Sequence, residues 1–155
     1  MKTKIFIGAL ALLCGVAWAQ TVTVSDAWAR ATVQGQKASG AFMTLTADQP
    51  LKLVSVSTQA AGLAQIHEMT MQDNVMKMAP VAALDLPAGQ AVALKPGGYH
   101  LMLMDLKTPL QKDANLALVL TFQDAKGKKF TQTVQAKVAQ QPPAEASGMM
   151  HEHMH

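Results

Sequence analysis

Pro96-Gly97-Gly98-Tyr99-His100-Leu101-Met102-Leu103-Met104-Asp105-Leu106 decides the fold class. Three turn-forming residues run into a strict alternation of period two, the mark of a strand with two different faces. Successive side chains of a strand point to opposite faces. His100, Met102 and Met104 therefore share one face, and Leu101 and Leu103 the other. The leucine face suits a core. The opposite face offers one imidazole and two thioethers.

Outward from this stretch the pattern repeats in both directions. Strands are predicted at Thr21–Trp28, Gly40–Thr46, Leu51–Ser57, Ala64–Met71, Val75–Val81, Ala91–Leu94, Tyr99–Leu106, Leu116–Gln123 and Lys129–Val138. Turns are predicted at Asp48-Gln49-Pro50, Asp73-Asn74, Pro87-Ala88-Gly89, Pro96-Gly97-Gly98 and Lys126-Gly127, residue types that tolerate special backbone angles. Short strands at this spacing imply an all-β sandwich or small barrel. No long helical pattern follows residue 19, and there is no internal repeat. The 155 residues suit one domain, and a content that is 50% hydrophobic and 15% charged excludes a disordered chain.

The first nineteen residues read as an export signal. Lys2 and Lys4 precede an apolar run from Ile5 to Val16, and Ala17-Trp18-Ala19 is an A-x-A cleavage site. The run is shorter than the roughly 20 residues a membrane-spanning helix needs. Cleavage is expected after Ala19, and the mature protein is expected in the periplasm without stable membrane insertion. A lipoprotein signal is the rival, since Cys14 follows Leu12-Leu13, but a lipid-bearing cysteine normally follows a small residue. Cys14 leaves with the signal, so the mature chain can form no disulfide and offer no thiolate. Without Lys2 and Lys4, 11 basic residues face 10 acidic ones. No basic patch survives, and nucleic-acid binding is excluded on this ground.

The mature domain is read as residues 20–138. Residues 139–155 form a linker with Gln140-Gln141-Pro142-Pro143, followed by a tail rich in His and Met.

The chain holds 11 Met and 5 His, and two His fall inside the domain. Asp73-Asn74 is a plausible two-residue hairpin turn. It would place Gln72 opposite Val75, Met71 opposite Met76, Met69 opposite Met78 and His67 opposite Pro80. His67 and Met78 then share a face as diagonal neighbours, within reach of one ion. Met69 lies beside Met78 and is the competing ligand. Thioether sulfur is soft and prefers Cu(I) to hard cations, whereas Zn(II) sites usually draw on Cys, His and carboxylate. The bland reading of a strand Met is core filler. It is taken for Met43, and Met69, Met71, Met76 and Met104 are read as an apolar collar around the site.

His67, ten residues, Met78, twenty-one residues, His100, one residue and Met102 match the H-x10-M-x21-H-x-M signature of the periplasmic copper chaperones associated with the Cu(A) centre of cytochrome c oxidase. Lys95–Met104, Ala27-Trp28-Ala29-Arg30 and Leu118–Phe122 resemble further stretches of that family, and the resemblance runs from about Val22 to Val138. It implies a single-domain cupredoxin-like Greek-key β-sandwich or barrel. It implies one Cu(I) on His67, Met78, His100 and Met102, delivered to a copper-receiving protein such as an oxidase Cu(A) subunit or another assembly factor.

In the tail, Met149, Met150, His151, His153, Met154 and His155 form a candidate second site, with Cu(II) as its metal. The chain is read as a monomeric, non-catalytic copper carrier. A sequestration protein without a dedicated recipient is the first rival. A blue-copper centre needs a Cys that the mature chain lacks, and no nucleophile–base pair, carboxylate pair or phosphate loop points to an enzyme.

Overall fold

In the computed structural model, which describes residues 22–143, ten strands follow one another without a helix among the described residues. They are β1 (Val22–Arg30), β2 (Ala38–Ala47), β3 (Leu51–Ser57), β4 (Ala61–Gln72), β5 (Val75–Pro80), β6 (Leu84–Leu86), β7 (Ala91–Leu94), β8 (His100–Leu106), β9 (Asn115–Asp124) and β10 (Lys129–Ala139). Their order in the sheet is β5-β4-β8-β2-β1-β10-β9-β3-β6, and β7 pairs with β2. Only β1 and β10 run parallel; the other pairs are antiparallel.

The sheet closes over its own apolar face. Ile66 of β4 and Leu84 and Leu86 of β6 come from strands far apart in that order, yet they share one buried cluster. Leu45, Leu101, Leu103, Leu118, Leu120 and Phe122 fill the middle and are fully buried. Each such side chain contributes about 1.5–3 kcal/mol relative to exposure. Met43 belongs to this core, as its bland reading expected.

Nine of the ten strands fall on the segments read as strands from the sequence. β6 was not foreseen. It is three residues long, too short to show a period, and its Leu-Asp-Leu pattern is buried, exposed, buried. It is held by pairing to β3, with Lys52 near Asp85 at 3.7 Å. At the other edge β5 is exposed along its whole length, so the β4–β5 hairpin projects beyond the core.

Candidate metal centre

The site is built on the face of β4 and β8 that points away from the core. Ile66 pairs with Leu101 on the core side, and His67 pairs with His100 on the other. The next strands continue this row: β8 lies against β2, and Phe42 of β2 pairs with Trp28 of β1. The ring centroids step across the sheet at 5.8 Å from His67 to His100, 6.4 Å from His100 to Phe42 and 4.7 Å from Phe42 to Trp28. Trp28 and Phe42 are buried but stand outside the main core cluster. They form a separate aromatic floor beside the two imidazoles. Gly40 makes room for it: a Cβ there would stand 2.8 Å from the Phe42 ring.

Each imidazole is fixed by a local partner. Lys95-Pro96-Gly97-Gly98 closes a turn in which Gly98 N donates to Lys95 O at 3.0 Å. Pro96 suits the second position, and Gly97, at φ 85°, supplies the positive φ at the third. The turn aims the Gly98 carbonyl at His100 Nδ1, 3.1 Å away, and the same carbonyl accepts from Met69 N at 3.2 Å. A carbonyl only accepts, so His100 Nδ1 carries the ring proton and Nε2 keeps a bare lone pair. That Nε2 lies 3.1 Å from Met78 Sδ. Two lone-pair donors thus face each other at a separation that a shared soft cation would bridge.

His67 is arranged the other way round. Its Nε2 donates to Gln65 Oε1 at 3.0 Å, which leaves Nδ1 unprotonated. His67 Nδ1 is buried without a hydrogen-bond partner. An unsatisfied buried acceptor costs about 1–3 kcal/mol, and a metal ion would relieve that cost. Burial first, and the nearby His100 second, lower the pKa of His67 and keep the ring neutral, the form a metal needs. On the far side of the strand pair, Tyr99 lies near Glu68. Burial, then this carboxylate, raises the phenol pKa.

Three of the four predicted ligands line one cleft, and the fourth, His67, is the cross-strand neighbour of His100 outside its lining. His100, Met78 and Met102 line this cleft of about 360 Å³, and the His67 ring lies 5.8 Å from that of His100. Met69 lines the same cleft, so the hairpin offers two thioethers to it. Among the described residues no group of three or more His, Cys, Asp and Glu comes together. The soft donors that line the cleft are the His100 imidazole and the Met69, Met78 and Met102 thioethers.

A sequence profile described as "Putative lipoprotein LpqE-like" matches residues 22–138. The chain belongs to the LpqE-like family. A curated relative, "Putative lipoprotein Lxx21020" of Leifsonia xyli subsp. xyli, is 33% identical over 107 residues, covering 68% of this chain and 64% of its own. The chain spans just under two thirds of the length of the curated relatives it matches. Among solved structures, this LpqE-like chain resembles the apo PCuAC domain from PmoF1 with a TM-score of 0.61 and 26% identity, over 79% of this chain and 97% of that one. It resembles the Cu(I) form of DR1885 from Deinococcus radiodurans with a TM-score of 0.55 and 32% identity, over 80% and 82%. The shared architecture is the cupredoxin-like β fold.

Several residues that shape the LpqE-like centre escaped the sequence reading. Gln65 could have been found, since it sits two residues before His67 on the same strand face. The Gly98 carbonyl and the Trp28–Phe42 floor could not, because both depend on a strand order that no local pattern encodes. The collar reading fails for Met71 and Met76, which are 64% and 46% exposed at the hairpin end. The export signal Met1–Ala19 and the tail site Met149, Met150, His151, His153, Met154 and His155 lie outside the described residues.

Proposed function

We propose that the protein is an exported copper chaperone that holds one Cu(I) through His67, Met78, His100 and Met102 and passes it to a copper-receiving protein. The observation that carries this reading is the 3.1 Å approach of Met78 Sδ to a His100 Nε2 bared by the Gly98 carbonyl, beside the unpartnered Nδ1 of His67. Likeness to the PCuAC domain from PmoF1 and to DR1885, solved as a Cu(I) form, supports copper as the cargo. Thioethers favour the reduced ion and bear no proton that must leave on binding. Transfer would proceed by ligand exchange, one bond at a time. Met78, 47% exposed, is the first ligand a recipient's imidazole or thiolate would displace. An oxidase Cu(A) subunit is the recipient proposed.

A competition titration against a Cu(I) chelator tests the ligand set. Met78→Leu and Met102→Leu should keep the fold and weaken Cu(I) binding by more than the about 10–100-fold that outer-shell changes cost. Met69→Leu should weaken it less. The reverse order would move the hairpin ligand from Met78 to Met69. Transfer to an oxidase Cu(A) fragment separates a chaperone from a sequestration protein, which would retain its copper.

A further inference from the structure

The proposed core site uses Met78 but leaves a row of thioethers beside it without a role. Across the β4–β5 hairpin Met69 stands opposite Met78 and Met71 opposite Met76. All four share the face of His67, because each lies an even number of residues from it or its partner. The other face of the hairpin carries Glu68, Thr70 and Lys77. The turn that sets this register has Asp73 at φ 49° and Asn74 at φ 62°. Core filling does not explain the outer pair, since Met71 and Met76 are 64% and 46% exposed.

Directly opposed strand residues hold their Cβ atoms about 4.5–5.5 Å apart, and the flexible Met side chain can bring two sulfurs onto one ion. The inner and outer pairs are two residues apart, about 7 Å along the strand. A single flexible thioether can swing across that gap.

We infer that Met71 and Met76, joined by Met69, form an outer site that captures a soft monovalent ion at the hairpin end and relays it to the core ligands. The inference rests on the core assignment proposed above, which supplies the destination. The outer site has only neutral, exposed sulfurs and no imidazole, so it binds more weakly than the core and the ion moves inward. At each step one sulfur–metal or nitrogen–metal bond forms as one sulfur–metal bond breaks. The ion keeps its charge, and no proton or electron is exchanged.

The probe is Ag(I), a redox-inert soft monovalent ion, added to the full chain labelled with ¹³C at the Met methyls. Signals are assigned by single Leu replacements, which separates Met149, Met150 and Met154 from the hairpin. Met78 and Met102 should shift with the first ion bound. Met71 and Met76 should then shift together as Ag(I) is raised. In Met71→Leu/Met76→Leu, equilibrium binding at the core should be unchanged, and loading of the core from an Ag(I) chelator complex should slow several-fold. Still Met71 and Met76 methyls at saturation of the core, or loading of the double variant at the wild-type rate, would overturn the relay. Still Met78 and Met102 methyls in the wild type would instead strike the core assignment, and that outcome is read from separate signals.

Discussion

Burial, and secondarily His100, hold His67 below its ordinary pKa of about 6.5, and this gives the apoprotein a pH signature. As the pH falls, the unfolded chain takes up the His67 proton before the folded one does. Unfolding then binds a proton, so stability increases with pH in that range. The contribution is intact above about pH 6.5 and is lost as the solution is acidified through and below that value. Urea unfolding of the apoprotein between about pH 5 and pH 8 should show the loss, and His67→Phe should flatten it. An equal slope in the variant would mean that other groups titrate. Gln65 sets which His67 nitrogen is free. Gln65→Leu should lower Cu(I) affinity about 10–100-fold while leaving all four proposed ligands in place, as a chelator competition would read. The identity and spacing of the four candidate ligands were legible in the sequence. The nitrogen that each His presents was not, because the Gly98 carbonyl and the Gln65 amide choose it.

At the scale of elements, the β4–β5 hairpin was the most legible. Asp73-Asn74 both take positive φ, and the pairing runs from Gln72–Val75 to His67–Pro80 as a two-residue turn requires. Local chemistry fixed that register. The aromatic floor was illegible for the opposite reason, since Trp28, Phe42, His100 and His67 meet only once β1, β2, β8 and β4 lie side by side. The turn before β8 links stability to binding. An L side chain at the left-handed Gly97 position costs about 1–2 kcal/mol, and the strain falls on the segment that aims the Gly98 carbonyl. Gly97→Ala should therefore lower Tm and also weaken Cu(I) binding under conditions where the variant is fully folded. A drop in Tm with unchanged affinity would show that His100 is oriented by its packing against Phe42 instead.

At the scale of the whole molecule, the alternation of short strands was enough to give the all-β class, while the edge strand β6, whose Leu84 and Leu86 join the core, was too short to read. The two ends of the chain make their own predictions. Mass analysis of protein released from the periplasm should give an N-terminus at Gln20, whereas a diacylated Cys14 would establish the lipoprotein rival. Deleting Met149–His155 should remove one Cu(II) equivalent and leave the core Cu(I) in place; unchanged Cu(II) stoichiometry would leave the tail without a metal role. The contacts that orient the two imidazoles and bring Met78 to His100 join residues 65 to 100, so the shortened chain retains all of their partners. X-ray absorption of that chain loaded with one Cu(I) tests the central claim most directly. Two imidazole nitrogens and two thioether sulfurs around one copper are the predicted shell. Scattering from nitrogen and oxygen alone, or from sulfur alone, would contradict it.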